Sequence, residues 1–211
     1  MTFKMIYKDF MSNKKLFVWW FAYIIIFSFV FSTSFGNSGS FMTIAIFVSY
    51  LVTGSILQND EKFRANMLIG VLPVKRSAVI GSKFILSNLG FAAVLLVFGI
   101  FMAVDRFVPV LQLTAGIDFT LVAVSFFIAS LFTSVSILIC YKFDATKARV
   151  ILMIIMVFLI GAGAGTLPLL LSFMPAVDWS QMMGIFALAG GILVQILGYL
   201  WSVHIYNNKD F

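Results

Sequence analysis

Long apolar runs separated by short charged clusters set the pattern of this chain. Uncharged stretches extend from Leu16 to Asn59, Phe84 to Val104, Phe119 to Tyr141, Val150 to Val177 and Trp179 to Asn208. A membrane-spanning helix needs about 20 apolar residues. The stretches therefore predict six helices, near 16–34, 41–57, 83–104, 118–141, 150–169 and 183–204. The first stretch is long enough for two spans, and the polar, glycine-containing STSFGNSGS predicts a turn that divides it. Ahead of it, Phe3, Ile6, Tyr7, Phe10 and Met11 recur at helical spacing, with Lys4, Lys8, Asp9, Ser12 and Asn13 between them. That pattern predicts an amphipathic helix over residues 1–15 lying in the membrane interface, either anchoring the terminus or bracing a neighbouring subunit.

Composition agrees with a bilayer location. The 211 residues are 62% hydrophobic and include 25 phenylalanines, more than one soluble domain of this size could bury. The expected fold is all-α and polytopic, a single transmembrane domain over 1–211. Pro168 and Pro175 interrupt a run longer than one span requires, so 170–182 is expected to dip back into the outer interface. Basic residues of short loops stay on the cytoplasmic side. With both termini inside, thirteen of the fourteen basic residues, all but Arg106, fall on that side, while Asp105, Asp118 and Asp178 fall outside. The net charge of +6 thus reflects topology in a cell membrane rather than nucleic-acid binding.

Several chemistries find no residues to carry them. No Asp, Glu, Lys or Arg sits at mid-span depth, where ion-coupled carriers retain such groups despite their cost. His204 is the sole histidine and has no cysteine or carboxylate at metal-ligand spacing. A hydrolase would need a nucleophile, a base and an orienting group. There is no GxxxxGK[ST] loop. The chain is therefore not expected to be an enzyme, nor to hold a cofactor or metal. Cys140 stands alone and forms no internal disulfide.

Two local features invite a functional reading. Gly161 and Gly165 in GAGAG form a small-residue ridge for close helix packing, within the bundle or against a second copy. The other is NDEKFRANMLIGVLPVKRSAVIGSK, residues 59–83, which holds seven of the 22 charged side chains. Asn59 is placed to cap a helix whose first turn carries Asp60 and Glu61. Phe63, Met67 and Val71 then recur every four residues, and Pro73 stops the element after Leu72. The spacing predicts a short, bent, charged helix within 59–82, longer than a topology-setting loop requires.

This segment resembles the stretch between the second and third spans of permease subunits in the ABC type-2 exporter family. There, an acidic-basic DEK start is followed by LP, a basic residue, a helix and a lysine entering the next span. The resemblance extends to the amphipathic start KMIYKDFMSNKKL, the six spans and the outer reentrant segment after the fifth. It implies that Asp60, Glu61, Lys62, Arg64, Pro73, Lys75 and Arg76 form a coupling region that docks on a separate cytosolic ATP-binding subunit, present in two copies. ATP and Mg would then belong to that partner, and the pathway would form with a second permease, identical or homologous. The apolar, uncharged spans suit an amphipathic or antimicrobial peptide, a toxin or a drug as cargo. The alternative is a non-transporting immunity or assembly subunit that uses the same loop to bind a cytosolic partner.

Overall fold

The computed structural model of the chain describes residues 2–62, 76–107, 117–143, 147–148, 150–155, 157 and 180–207. All regular structure among the described residues is helical. Four long elements carry the architecture: α1 (Thr2–Lys62), α2 (Arg76–Phe107), α3 (Phe119–Lys142) and α4 (Ser180–Asn207). Residues 147–148, 150–155 and 157 are helical as well, at the start of the predicted fifth span. Most of that span and residues 170–179 of the expected reentrant segment lie outside the described residues, while 180–182 belong to α4. The spans expected at 83–104, 118–141 and 183–204 fall inside α2, α3 and α4.

The expected turn between the first two spans requires correction. Helical residues run unbroken from Thr2 to Lys62, through both the amphipathic start and STSFGNSGS. Even so, α1 is not a straight rod. Twenty residues of straight helix extend about 30 Å, whereas the rings of Phe27 and Phe47 lie 5.4 Å apart. The chain doubles back, and the midpoint of that contact is Asn37, inside the polar segment. Two hydroxyls return to the backbone beside it: Ser40 Oγ donates to the Asn37 carbonyl at 2.7 Å and Thr43 Oγ1 to the Gly39 carbonyl at 2.9 Å. Glycine and serine are where helices bend sharply, and these bonds keep carbonyls satisfied away from water.

A second correction concerns Asn59. It does not open a new helix; residues 59–62 continue α1 to its end. No proline interrupts the run before Pro73, and an established helix adds one hydrogen bond per residue as it propagates. The acidic pair Asp60 and Glu61 therefore continues an existing helix rather than opening a new one.

Contacts between elements fix their directions. The second limb of α1 runs antiparallel to α2, with Phe41 against Phe98 at 4.9 Å near one end and Thr53 against Ser87 at 3.0 Å near the other. The α2 and α3 helices are also antiparallel, through Ser87 with Thr133 at 2.9 Å and Phe91 with Phe126 at 5.3 Å. By contrast, α3 and α4 are parallel. Gly184 meets Phe119, Gly191 meets Phe126 and Gly198 meets Ser134, and at the far end the rings of Tyr141 and Tyr206 lie 5.0 Å apart.

The glycines of that contact recur every seven residues, a period that keeps one face toward a neighbouring helix. Close approach is what they supply. A Cβ on Gly198 would stand 2.6 Å from Ser134 Oγ, and one on Gly191 2.9 Å from the Phe126 ring. With lipid outside as apolar as the side chains inside, such van der Waals contact is the main force holding helices together.

The core gathers Trp20 and Ile24 from the first limb of α1, Phe41, Ile44 and Val48 from its second limb, and Leu86, Val94 and Phe98 from α2. Outward, α4 presents Phe186, Leu193, Leu197, Leu200 and Trp201. A helix apolar on its outer as well as its inner face belongs in a membrane. Four described helices are long and apolar enough to cross one: Gly39–Leu57, Ser77–Phe107, Phe119–Lys142 and Met182–Tyr206; Val18–Phe31 is a shorter apolar run.

Candidate functional site

The helix directions bring the end of α1, the start of α2 and the ends of α3 and α4 to one end of the bundle. Lys62 and Arg76 therefore share an end with Lys142 and His204, whereas Asp105, Arg106 and Asp118 lie at the opposite end. Among these described residues the basic ones other than Arg106 share one end, and the two aspartates take the other. Of the expected coupling residues, Asp60, Glu61 and Lys62 close α1 and Arg76 opens α2. Arg64, Pro73 and Lys75 lie outside the described residues, as do Gly161 and Gly165. The thirteen positions 63–75 join two helix ends that both belong to the basic end.

Between the two ends lies a layer of uncharged polar side chains that sequence reasoning passed over as scattered Ser and Thr. Thr53, Ser87 and Thr133 form a hydroxyl chain linking α1, α2 and α3, at 3.0 and 2.9 Å. Beside it, Asn88 of α2 and Gln195 of α4 exchange two hydrogen bonds. Asn88 Nδ2 donates to Gln195 Oε1 at 2.9 Å, and Gln195 Nε2 donates to Asn88 Oδ1 at 2.7 Å. Gln195 Nε2 also donates to Ser130 Oγ of α3 at 2.9 Å. An amide in hydrocarbon must find partners, because no water is there to supply them. The reciprocal pair meets that demand with two bonds at once. The signal was legible, since Asn88 and Gln195 are the lone amides of their spans, but only packing could show that they meet.

Further hydroxyls populate the same interior. Ser125, Ser136 and Ser202 are buried with no hydrogen-bond partner for Oγ, leaving donor and acceptor capacity inside an apolar bundle. Lys83 is the one charged residue among the described buried positions, 2% exposed. Because α2 starts at Arg76, it lies about two turns inside that helix rather than at its mouth. Among the described residues no three His, Cys, Asp or Glu side chains come together to hold a metal.

At the basic end, α3 and α4 line a cavity of about 590 Å³. Leu138, Ile139, Lys142 and Phe143 line one wall and Trp201, His204 and Ile205 the other. The Lys142 ammonium stands 5.8 Å from the centre of the Phe143 ring. Nearer the core, Tyr199 donates to the Ser77 carbonyl at 3.4 Å, tying the end of α4 to the first turn of α2.

Folding and charge together define a helical membrane protein in which, among the described residues, Lys62, Arg76 and Lys142 share one end and no carboxylate is buried. The ABC-2 family transporter model matches residues 4–207, and the chain belongs to that family. No curated protein and no solved structure matches it. Members of this family are membrane components of transporters rather than catalysts.

Proposed function

We propose that the chain is the permease subunit of an ATP-driven exporter, with six spans, and that it forms its pathway with a second permease copy or a related one. Separate cytosolic ATP-binding subunits supply the energy, and they dock on the 59–82 region. The observation that carries this reading is that Lys62 of α1 and Arg76 of α2 share the basic end, in a chain of the ABC-2 family. We take the stretch between them as the point where force enters. Movement imposed on it is passed along α1 and α2, which share the Thr53–Ser87 bond and the Phe41–Phe98 contact. The parallel packing of α3 and α4 supports the six-span count, because two parallel neighbours require the chain between them to return across the bilayer.

The interior supports an amphipathic cargo, such as an antimicrobial peptide, toxin or drug. Aromatic and aliphatic surfaces with unpaired hydroxyls at Ser125, Ser136 and Ser202 offer apolar contact and hydrogen bonds without fixed negative charge.

Co-purification with the ATP-binding subunit tests the docking region. Replacing Glu61 by Lys and Arg64 by Glu should weaken that association by about 2 kcal/mol or more, roughly thirtyfold, and remove the stimulated ATP hydrolysis. Association at wild-type strength in the double variant would reduce the region to a topology signal. Normal association without vesicle transport would mark the chain as an immunity or assembly subunit.

A further inference from the structure

The cavity at the basic end joins one cationic side chain to an apolar wall. We infer that it is a binding site for an anionic phospholipid, with the phosphate at Lys142 and the upper acyl chain along Leu138, Ile139 and Ile205.

Four observations carry this assignment. The cavity opens on the outer surface of the bundle, beside Trp201, which is 65% exposed. It continues the apolar stripe that α4 presents to hydrocarbon through Leu193, Leu197 and Leu200. An occupant can therefore enter sideways from the bilayer. Secondly, Lys142 lies in the last turn of α3 and Trp201 in the last two turns of α4, the depth at which lysines reach headgroups and indoles prefer to rest. Thirdly, the lining is mixed: Leu138 and Ile139 lie about a turn inside Lys142 on α3, and Phe143, Trp201 and Ile205 add apolar surface around Lys142 and His204. That combination matches a lipid, with a charged head and an apolar tail. Finally, the described residues that line the cavity include no carboxylate.

Both helices end here, and their last carbonyls disfavour an anion held close to the backbone. The length of the lysine stem lets the ammonium meet the phosphate away from the backbone, at the water side. Basic pockets between spans on the cytoplasmic side are where anionic headgroups bind.

The test uses the full-length chain in nanodiscs of phosphatidylglycerol mixed with phosphatidylcholine, followed by detergent extraction and native mass spectrometry of retained lipid. The wild type should retain phosphatidylglycerol over phosphatidylcholine by about fivefold, the preference one lysine confers near an anionic surface. Lys142→Glu should abolish that preference and Lys142→Arg should keep it. Leu138→Trp, which fills the cavity, should remove the bound lipid altogether. Equal retention of the two lipids by the wild type would overturn the proposal, and that measurement needs no variant. So would an unchanged preference in Lys142→Glu, or stabilisation by inorganic phosphate alone equal to that by phosphatidylglycerol. A dimer that dissociates in Leu138→Trp would assign the cavity to a second copy instead. None of these readings depends on ATP hydrolysis or transport, so they stand apart from the exporter proposal.

Discussion

The middle of the bundle and its basic end treat polar side chains in opposite ways. In the middle, Asn88 and Gln195 satisfy each other, and Thr53, Ser87 and Thr133 close a chain of hydroxyls. At the end, Lys142 stands exposed beside a cavity. The difference follows the solvent. Hydrocarbon offers no partner, so these five uncharged side chains bond to one another; near water a full charge costs little and is free to meet something from outside. The bonded side chains of the centre thus join helices, whereas Lys142 is available for recognition.

The contrast is most strongly tested where helices approach closest. Gly198→Leu would drive a side chain into Ser134, whose Oγ and Cβ stand 2.6 Å from the position of the new Cβ. Overpacking of this kind costs about 1–3 kcal/mol or more, so folded protein in size-exclusion chromatography should fall several-fold. Next comes the amide pair. Asn88→Leu alone strands Gln195 and should cost about 0.6–1.7 kcal/mol in a denaturation series. Adding Gln195→Leu should return part of that loss, since removing both partners of a bond is less costly than removing one. Additive losses in the double variant would show that the two amides do not act as a pair. Ser87→Ala, which cuts the hydroxyl chain at its centre, should cost about 0.6 kcal/mol. Smallest of all, Lys142→Gln should change stability by less than about 0.5 kcal/mol while altering lipid retention. A large destabilisation there would make Lys142 structural and blur the distinction between centre and end.

Much of the architecture was legible in the pattern of apolar runs. Three spans lie within α2, α3 and α4, because hydrocarbon thickness sets a length that composition reveals directly. The separation of charge between the ends was equally legible, since it depends on which loop a residue occupies and not on its neighbours. The polar segment at 32–40 was identified as a reversal, yet its helical conformation was not. Serine, threonine and glycine suggest a break, whereas hydroxyl bonds to the backbone at Ser40 and Thr43 keep the residues helical. Gly161 and Gly165 lie outside the described residues; among the described ones Gly184, Gly191 and Gly198, spaced by sevens, make the contact between α3 and α4.

The sequence by itself determined that the chain is helical, lies in a membrane and gathers its basic residues at one end, because hydropathy, span length and charge are local properties. Tertiary structure alone decided that α3 and α4 run parallel, that Asn88 finds Gln195 across 107 positions, and that a cavity opens between Lys142 and His204. Those outcomes depend on which faces of separate helices come into contact, and side-chain shape at close range, not hydropathy along the chain, settles that choice.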